Sequence, residues 1–500
     1  MDPKTPVVVG VGQRTNRTGD PATGPLDLME ATALLANADA GGDVLRRVDS
    51  VQVVNLMTAQ YVDPAASLAS RLGIRNGERL YTTVGGNTPQ LLVEKACDAI
   101  AGGTRSAVLI SGAEAFISMR RARAEGLELD RPGEQGPSQA VTIGDSRNGL
   151  GPAENAVGVM MPVQMYPIFE SALAARAGRS PVEQREWLGR LMAPFTQVAA
   201  THPDLAWFPT ARTPQELSTV TSDNRYICEP YTKLLNSIIA VEQAASIIVC
   251  SVEVAEAAGV PKDRWVFPWS AASAHDVFYP SERPNIDRSE GIKAAGRLVL
   301  DAAGIGIEDV TTIDLYSCFP SAVQMGAEAL GIALDDPRGL TVTGGLPYFG
   351  GPGNNYVAHS IAVTIDLCRQ DPARIGLLTG LGWYTTKHSI GVYSATPPKK
   401  SFAKIDTSAE QARIDASAVS VVSKDDLGGE VIATVEAMTV VHDRETGPAS
   451  APIFANLDDG RRVVAAAADS SIVSSLSETS LVGQKVKVRK GDSSPIYEPV

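Results

Sequence analysis

The chain has no CxxC pair. Its five cysteines, Cys97, Cys228, Cys250, Cys318 and Cys368, are scattered over 500 residues. That spacing excludes a disulfide scaffold and a zinc ribbon, so reduced thiols and no metal site are expected. No apolar run is long enough to cross a bilayer. The best candidate, residues 238–254, is interrupted by Glu242, Gln243 and Glu253. The residues after Met1 carry neither a basic stretch nor an apolar signal core, and the expected location is therefore cytoplasmic. A basic excess is also missing. The formal net charge is −13 and is spread along the chain, which argues against nucleic-acid binding.

What is present is a long chain rich in small and aliphatic residues. At 500 residues it exceeds one ordinary core, and two to four domains are expected. Two stretches share one design. Val84-Gly-Gly-Asn-Thr-Pro-Gln90 leads into a helix over 90–101 and a strand over 106–111 ending in glycine. Thr343-Gly-Gly-Leu-Pro-Tyr-Phe-Gly-Gly-Pro-Gly353 leads into a helix and then Ile375-Gly-Leu-Leu-Thr-Gly-Leu-Gly-Trp383. Glycine lets the backbone approach a ligand or another backbone closely. The helix that follows aims free N–H groups and its positive dipole end at the turn, a place suited to an anion or oxyanion. Two such units imply an internally duplicated α/β fold.

In order along the chain, strands over 7–12 and 48–55 alternate with helices over 26–37 and 64–72, which implies a parallel sheet covered on both faces. From 117 to about 237 the pattern changes. Residues 120–123 and 130–137 read as polar loops, and helices are expected over 163–177 and 181–200. Ser180-Pro-Val-Glu183 is a capping box with proline at the first helical position. Strands over 266–274 and 311–316, and helices over 289–303 and 321–330, open the second half. After a linker at 396–400, short alternating strands around the Asp458-Asp-Gly460 turn predict a small β-barrel of the OB type. The expected domains are 1–118 with 241–262, an insertion at 119–240, a second half at 263–398, and an added barrel at 405–500.

This order resembles the thiolase superfamily over residues 6–395: a duplicated five-layer α-β-α-β-α core with a loop domain inserted in the first half. The motifs that carry the resemblance are Ala99-Ile-Ala-Gly-Gly103 through Ile110-Ser-Gly-Ala-Glu-Ala115, Ser180-Pro-Val-Glu-Gln184, Asp314-Leu-Tyr-Ser-Cys-Phe319 and Gly344-Gly-Leu-Pro-Tyr-Phe-Gly-Gly-Pro352. The third is similar to the His-Asp-Cys-Phe motif of the sterol-carrier-protein type of thiolase. The fourth matches the spacing of the Gly-His-Pro motif. The tail looks like the extra domain of actinobacterial thiolase-like proteins.

The departures are specific. The position of the family's nucleophilic cysteine falls on Gly86, and that of its activating histidine on Gly351. Covalent transfer through cysteine cannot follow the family route without them. Cys318 remains at the acid/base cysteine position, where a helix N-terminus favours a thiolate. Tyr316 and Tyr348 are candidate phenolic acid/bases, and His388 is a further catalytic candidate. His359 reads as a core histidine, and His275 with Asp276 as a possible loop pair. For the ligand, the resemblance implies a CoA or acyl-CoA site between loop domain and core. Arg225, Tyr226 and Lys233 are candidates for its phosphates, Ser237 for its pantetheine arm, and Asn87, Asn354 and Asn355 for a thioester carbonyl; capping is the plainer role for the asparagines. The expected function is thus a thiolase-like protein of lipid metabolism that binds CoA or acyl-CoA without ordinary thiolase activity. The alternatives are a retro-aldol lyase on acyl-CoA esters using Tyr316 and Tyr348, or a non-catalytic carrier whose barrel docks a protein partner. No cofactor is expected to be bound covalently, and a monomer or dimer is expected.

Overall fold

Strands Ser50–Val53, Glu78–Thr82 and Ala107–Ala115 are linked through helices Pro64–Arg71 and Thr88–Ala101, and such crossovers make them parallel. A computed structural model describes residues 1–75, 77–127 and 139–500; the expected polar loop at 130–137 lies outside the described residues. Strand Glu242–Ser251 returns from the insertion and enters antiparallel between Pro6–Thr15 and Ala107–Ala115. The first sheet is therefore mixed, where the alternation of elements predicts a parallel one. A second sheet orders Thr312–Asp314, Ile375–Gly382, Lys387–Ser394 and Phe267–His275.

Helices Thr88–Ala101 and Tyr356–Gln370 lie between the two sheets. Their apolar residues, among them Leu92, Val93, Val357 and Ile361, share one core with Ile110 and Ile247 of the first sheet and Leu378 and Ile390 of the second. Burial on every side explains why these helices are apolar nearly all round. Helix Pro25–Ala40 covers the outer face of the first sheet and Glu290–Ala303 that of the second, completing five layers.

In the insertion, helices Pro162–Arg176 and Pro181–Ala200 form as expected. Ser180 Oγ accepts from Glu183 N, and the Glu183 carboxylate accepts from Ser180 N at 2.8 Å. Two readings are corrected here. Residues 120–123 belong to helix Phe116–Ala124 rather than a loop. The insertion also returns a strand, Val141–Ile143, to the edge of the first sheet beside Glu78–Thr82; three residues carry too little pattern to announce it.

The tail forms a closed barrel of strands Val431–Met438, Ile453–Leu457, Arg462–Ala467, Lys485–Lys490 and Pro495–Pro499. Around the ring the order is first, second, third, fifth, fourth, with third and fifth parallel. This is the OB-type arrangement. Alternating residues Ala433, Val435, Val463, Ala465, Val486 and Val488 fill its interior. The barrel is not a free appendage. Its hairpin Val441–Asp443 with Gly447–Ser450 pairs with strand Tyr226–Cys228 of the insertion. The buried Glu229 carboxylate receives His442 Nε2 at 2.6 Å, Ser477 Oγ at 2.8 Å and Glu478 N at 2.6 Å. Arg462, 1 % exposed, donates to the carbonyls of Ser281 and Arg283 and to Glu436.

Candidate functional site

The N-termini of the two central helices meet where the glycine turns meet. Asn354 Oδ1 accepts from Gly85 N at 2.8 Å, and its Nδ2 donates to Asn55 O at 3.0 Å. Asn355 Nδ2 donates to Gly112 O at 2.7 Å. These asparagines tie one half of the molecule to the other. Neither Asn87 nor Asn355 makes a side-chain cap on its helix. Asn87 Nδ2 donates instead to Ser389 Oγ at 3.2 Å, and Ser389 continues through Ser273 Oγ, at 2.8 Å, to the Glu94 carboxylate. One of the two N–H groups of the Asn87 amide is thus used by Ser389.

Gly86 sits buried at the start of the first central helix. A Cβ on it would collide with Tyr316 Oη and lie 2.6 Å from Leu381 O and 2.9 Å from Tyr316 Cζ. The volume a residue 86 side chain needs is filled by Tyr316. Tyr316 is itself buried, packs edge-on to Tyr356 at 5.6 Å, and has its phenol pushed well above the ordinary range, first by desolvation and then by nearby Cys318 and Tyr356. Gly351 is less tightly enclosed: a Cβ there would stand 3.1 Å from Leu346 Cδ2 and 3.3 Å from Ile238 O.

Cys318 lies two residues from helix Pro320–Leu330 and is buried. Burial pushes its thiol up to about 12, more than nearby Tyr166 and the backbone N–H groups bring it down. The expected thiolate is corrected to a thiol: desolvation outweighs the helix N-terminus. Native protein at neutral pH is accordingly expected to leave Cys318 unreacted with a disulfide reagent such as DTNB, and denatured protein to titrate all five cysteines. Rapid labelling of Cys318 in the native state would contradict this burial.

A cleft of about 780 Å³ opens between the insertion and the second glycine loop. Lys233 and Ser237 line it, as does Tyr348, whose hydroxyl is buried and unpartnered. Tyr316 is not among its lining residues. Two proposed ligand contacts lie elsewhere. Arg225 donates to the backbone oxygen of Tyr226 at 2.8 Å, and Tyr226 Oη donates to Glu478 of the barrel at 2.7 Å. Tyr226 thus belongs to the docking of the tail.

His388 is separated from the glycine turn by strand alternation. Its neighbours Lys387 and Ser389 face the turn, while His388 faces helix Glu290–Ala303 and bonds Asp276 Oδ2 through Nε2 at 2.8 Å. Burial disfavours the Asp276 carboxylate, but His388, Arg283 and Ser289 outweigh it and hold its pKa below the usual value. The Asp276 carboxylate therefore pairs with His388 and not with its sequence neighbour His275, whose Nδ1 meets the Asp276 backbone oxygen at 2.8 Å and Gln411 Nε2 at 3.0 Å. His359 is a core residue bonded to Gln13 at 2.8 Å, with burial pushing its pKa down to about 3.

Sequence reasoning missed Lys387, Arg212 and Asn236. Lys387 Nζ donates to the carbonyls of Val84, at 2.5 Å, and Asp145, at 3.0 Å, and so clamps the loop after Val141–Ile143 over the first glycine turn; burial lowers its pKa to about 8. Arg212 and Asn236 line the cleft from segments without a pattern. Among the described residues no group of His, Cys, Asp and Glu could hold a metal ion, and no helix is long and apolar enough to cross a membrane.

Comparison with known proteins places this architecture. Residues 411–493 match the family model for the additional C-terminal domain of thiolase-like protein type 1. Among solved structures, a monomeric SCP2-thiolase-like protein type 1 from Mycobacterium smegmatis is similar over 100% of both chains, with 33% identity and a TM-score of 0.85. The Ltp2-ChsH2(DUF35) aldolase matches 78% of this chain and 98% of its own, at 19% identity and TM-score 0.59. An acetyl-CoA acetyltransferase from Syntrophomonas wolfei matches 79% of this chain and 99% of its own, at 16% identity and TM-score 0.56. The last two share the fold. A sequence comparison with curated proteins gives no match.

Proposed function

The chain belongs to the SCP2-thiolase-like protein type 1 family, and from that premise we propose that it binds acyl-CoA thioesters without cleaving them by thiolysis. One observation carries the second half of this reading: Tyr316 occupies the space that a side chain at position 86 would need. Thiolysis through the enzyme requires a thiolate there, and a base to make it. Residue 86 has no side chain, residue 351 is glycine, and the nearby Cys318 is held as a thiol. The binding half rests on the cleft, whose surface is mainly apolar and whose charged residues are Lys233 and Arg212 with Glu216 and Asp223. A role in lipid metabolism goes with such a ligand. The docked barrel is consistent with a single-copy protein.

The test is calorimetric titration of acetyl-CoA into the full chain. Saturable binding that weakens in Lys233→Glu is the expected result. No heat from acetyl-CoA or CoA at protein concentrations suited to micromolar binding would remove this reading.

A retro-aldol reading has one observation in its favour. Tyr316 Oη points at the glycine turn, and among the described residues no group hydrogen-bonds it. Its raised pKa keeps the phenol protonated, so it is fitted to give a proton to the enolate that C–C cleavage leaves, and not to take one. Tyr316→Phe retaining full activity on a β-hydroxyacyl thioester that the wild type cleaves would sink this assignment.

A further inference from the structure

The hairpin between strands Ile375–Gly382 and Lys387–Ser394 turns through a backbone that its residues do not favour. Trp383 and Thr385 have positive φ, 59° and 51°. Neither is glycine, and a β-branched residue is rarely found there. Positions of this kind persist only where the surroundings hold them. Here Tyr166 does so. Its phenol donates to Trp383 O at 2.9 Å and accepts from Thr385 N at 3.2 Å. Trp383 Nε1 and Thr385 Oγ1 are buried and find no partner among the described residues. The turn is therefore costly in itself and is fixed from helix Pro162–Arg176 of the insertion.

What the turn carries is the segment 144–150. Lys387 Nζ, at the end of the turn, joins Asp145 O to Val84 O of the first glycine turn. The Trp383 ring lies so close to Gly149 that a Cβ there would stand 2.6 Å from it. Arg147 adds a stack on the Phe278 ring at 3.9 Å. Among the described residues no backbone–backbone hydrogen bond joins 144–150 to the rest of the protein. A segment fastened only by side chains opens at low cost.

We propose that residues 144–150 are a lid over the first glycine turn, held shut by the strained turn 383–386, and that Tyr166 is its latch. Tyr166 is a positioning residue that acts through the turn. Without its hydroxyl the turn relaxes, and Lys387 and the Trp383 ring withdraw from Asp145 and Gly149. The Lys387 amine, in a residue 6 % exposed when the lid is shut, then meets solvent. None of these residues lines the cleft, and the inference does not rest on the acyl-CoA reading.

The experiment is amine labelling of the full chain with acetic anhydride at a fixed pH, read by mass spectrometry at Lys387, on the wild type, Tyr166→Phe and Thr385→Gly. Lys262, 80 % exposed, serves as the internal reference. Tyr166→Phe should label Lys387 about tenfold faster, since both the strain and the lost hydrogen bonds favour the open turn. Thr385→Gly should label it at about one fifth of the wild-type rate, since glycine accepts positive φ freely and the shut turn loses part of its cost. A merely structural role for the two residues would speed labelling in both. Equal labelling of Lys387 in Tyr166→Phe and the wild type, or unchanged or faster labelling in Thr385→Gly, would overturn the inference. Should Tyr166→Phe fail to fold, the Thr385→Gly arm decides alone.

Discussion

Gly86→Ala is expected to destabilise the protein by about 3 kcal/mol, at the upper end of what overpacking a core costs. The backbone is not the reason, since Gly86 is absent from the glycines with positive φ. The reason is space. The new methyl group would meet Tyr316 Oη, Leu381 O and Tyr316 Cζ at once, and Leu381 O belongs to a strand buried on both sides. Tyr316 has little room to give way, because Tyr356 and the layer around Cys318 confine it. A double-mutant cycle isolates the cause. Tyr316→Ala alone opens a cavity and costs about 3–5 kcal/mol. Combined with Gly86→Ala, the loss should fall short of the sum by about 1–2 kcal/mol, because each change fills or vacates the other's space. Denaturant unfolding of the four proteins measures it. Gly86→Ala as stable as the wild type would mean that Tyr316 does not fill this volume. Gly86→Cys should share the penalty, since its Cβ meets the same atoms.

Arg462→Ala should have an effect of similar size for a different reason. The guanidinium crosses from the barrel to the second half of the core and is desolvated there. It donates to the Ser281 and Arg283 carbonyls, to Asn456 Oδ1 at 3.1 Å and to the Glu436 carboxylate. Removing it leaves two buried carbonyls and a carboxylate without their donor. Losses of about 3–5 kcal/mol accompany such breaks. The loss should appear as undocking of the barrel, with faster proteolysis near the linker at 396–400 while the core stays resistant. Glu436→Gln, which keeps an acceptor at a partly exposed position, should cost clearly less. Unchanged proteolysis in Arg462→Ala would show that the strand pairing of Val441 with Cys228 and the Glu229 cluster hold the barrel by themselves.

Much of the fold could be read from local pattern. The Ser180 capping box, the two glycine turns and the alternation in the barrel each act within a few residues, and each is found where expected. The site was less legible. That position 86 lacks a side chain is plain in the sequence. That a phenol 230 residues later fills the gap is a tertiary fact, visible only when strand Thr312–Asp314 is set beside the turn. His388 illustrates the same limit. Its position soon after the Gly382-Trp-Tyr384 stretch suggests a site residue, but period-two alternation sends it to the face opposite Lys387 and Ser389. Tyr226 sits next to the cleft in sequence, and the barrel claims it through Glu478, which no local pattern announces. Cys318 stands beside a helix N-terminus as expected, yet its ionisation is set by burial, and burial is a property of the whole fold.

The most direct test of the account is a thiolysis assay with acetoacetyl-CoA and free CoA on full-length protein shown to be folded. The account predicts no CoA-dependent loss of substrate above buffer, because the place of the nucleophile is occupied by Tyr316. Turnover at an ordinary enzymatic rate, about 1 s⁻¹ or more, would contradict it and would mean that another group supplies the thiolate.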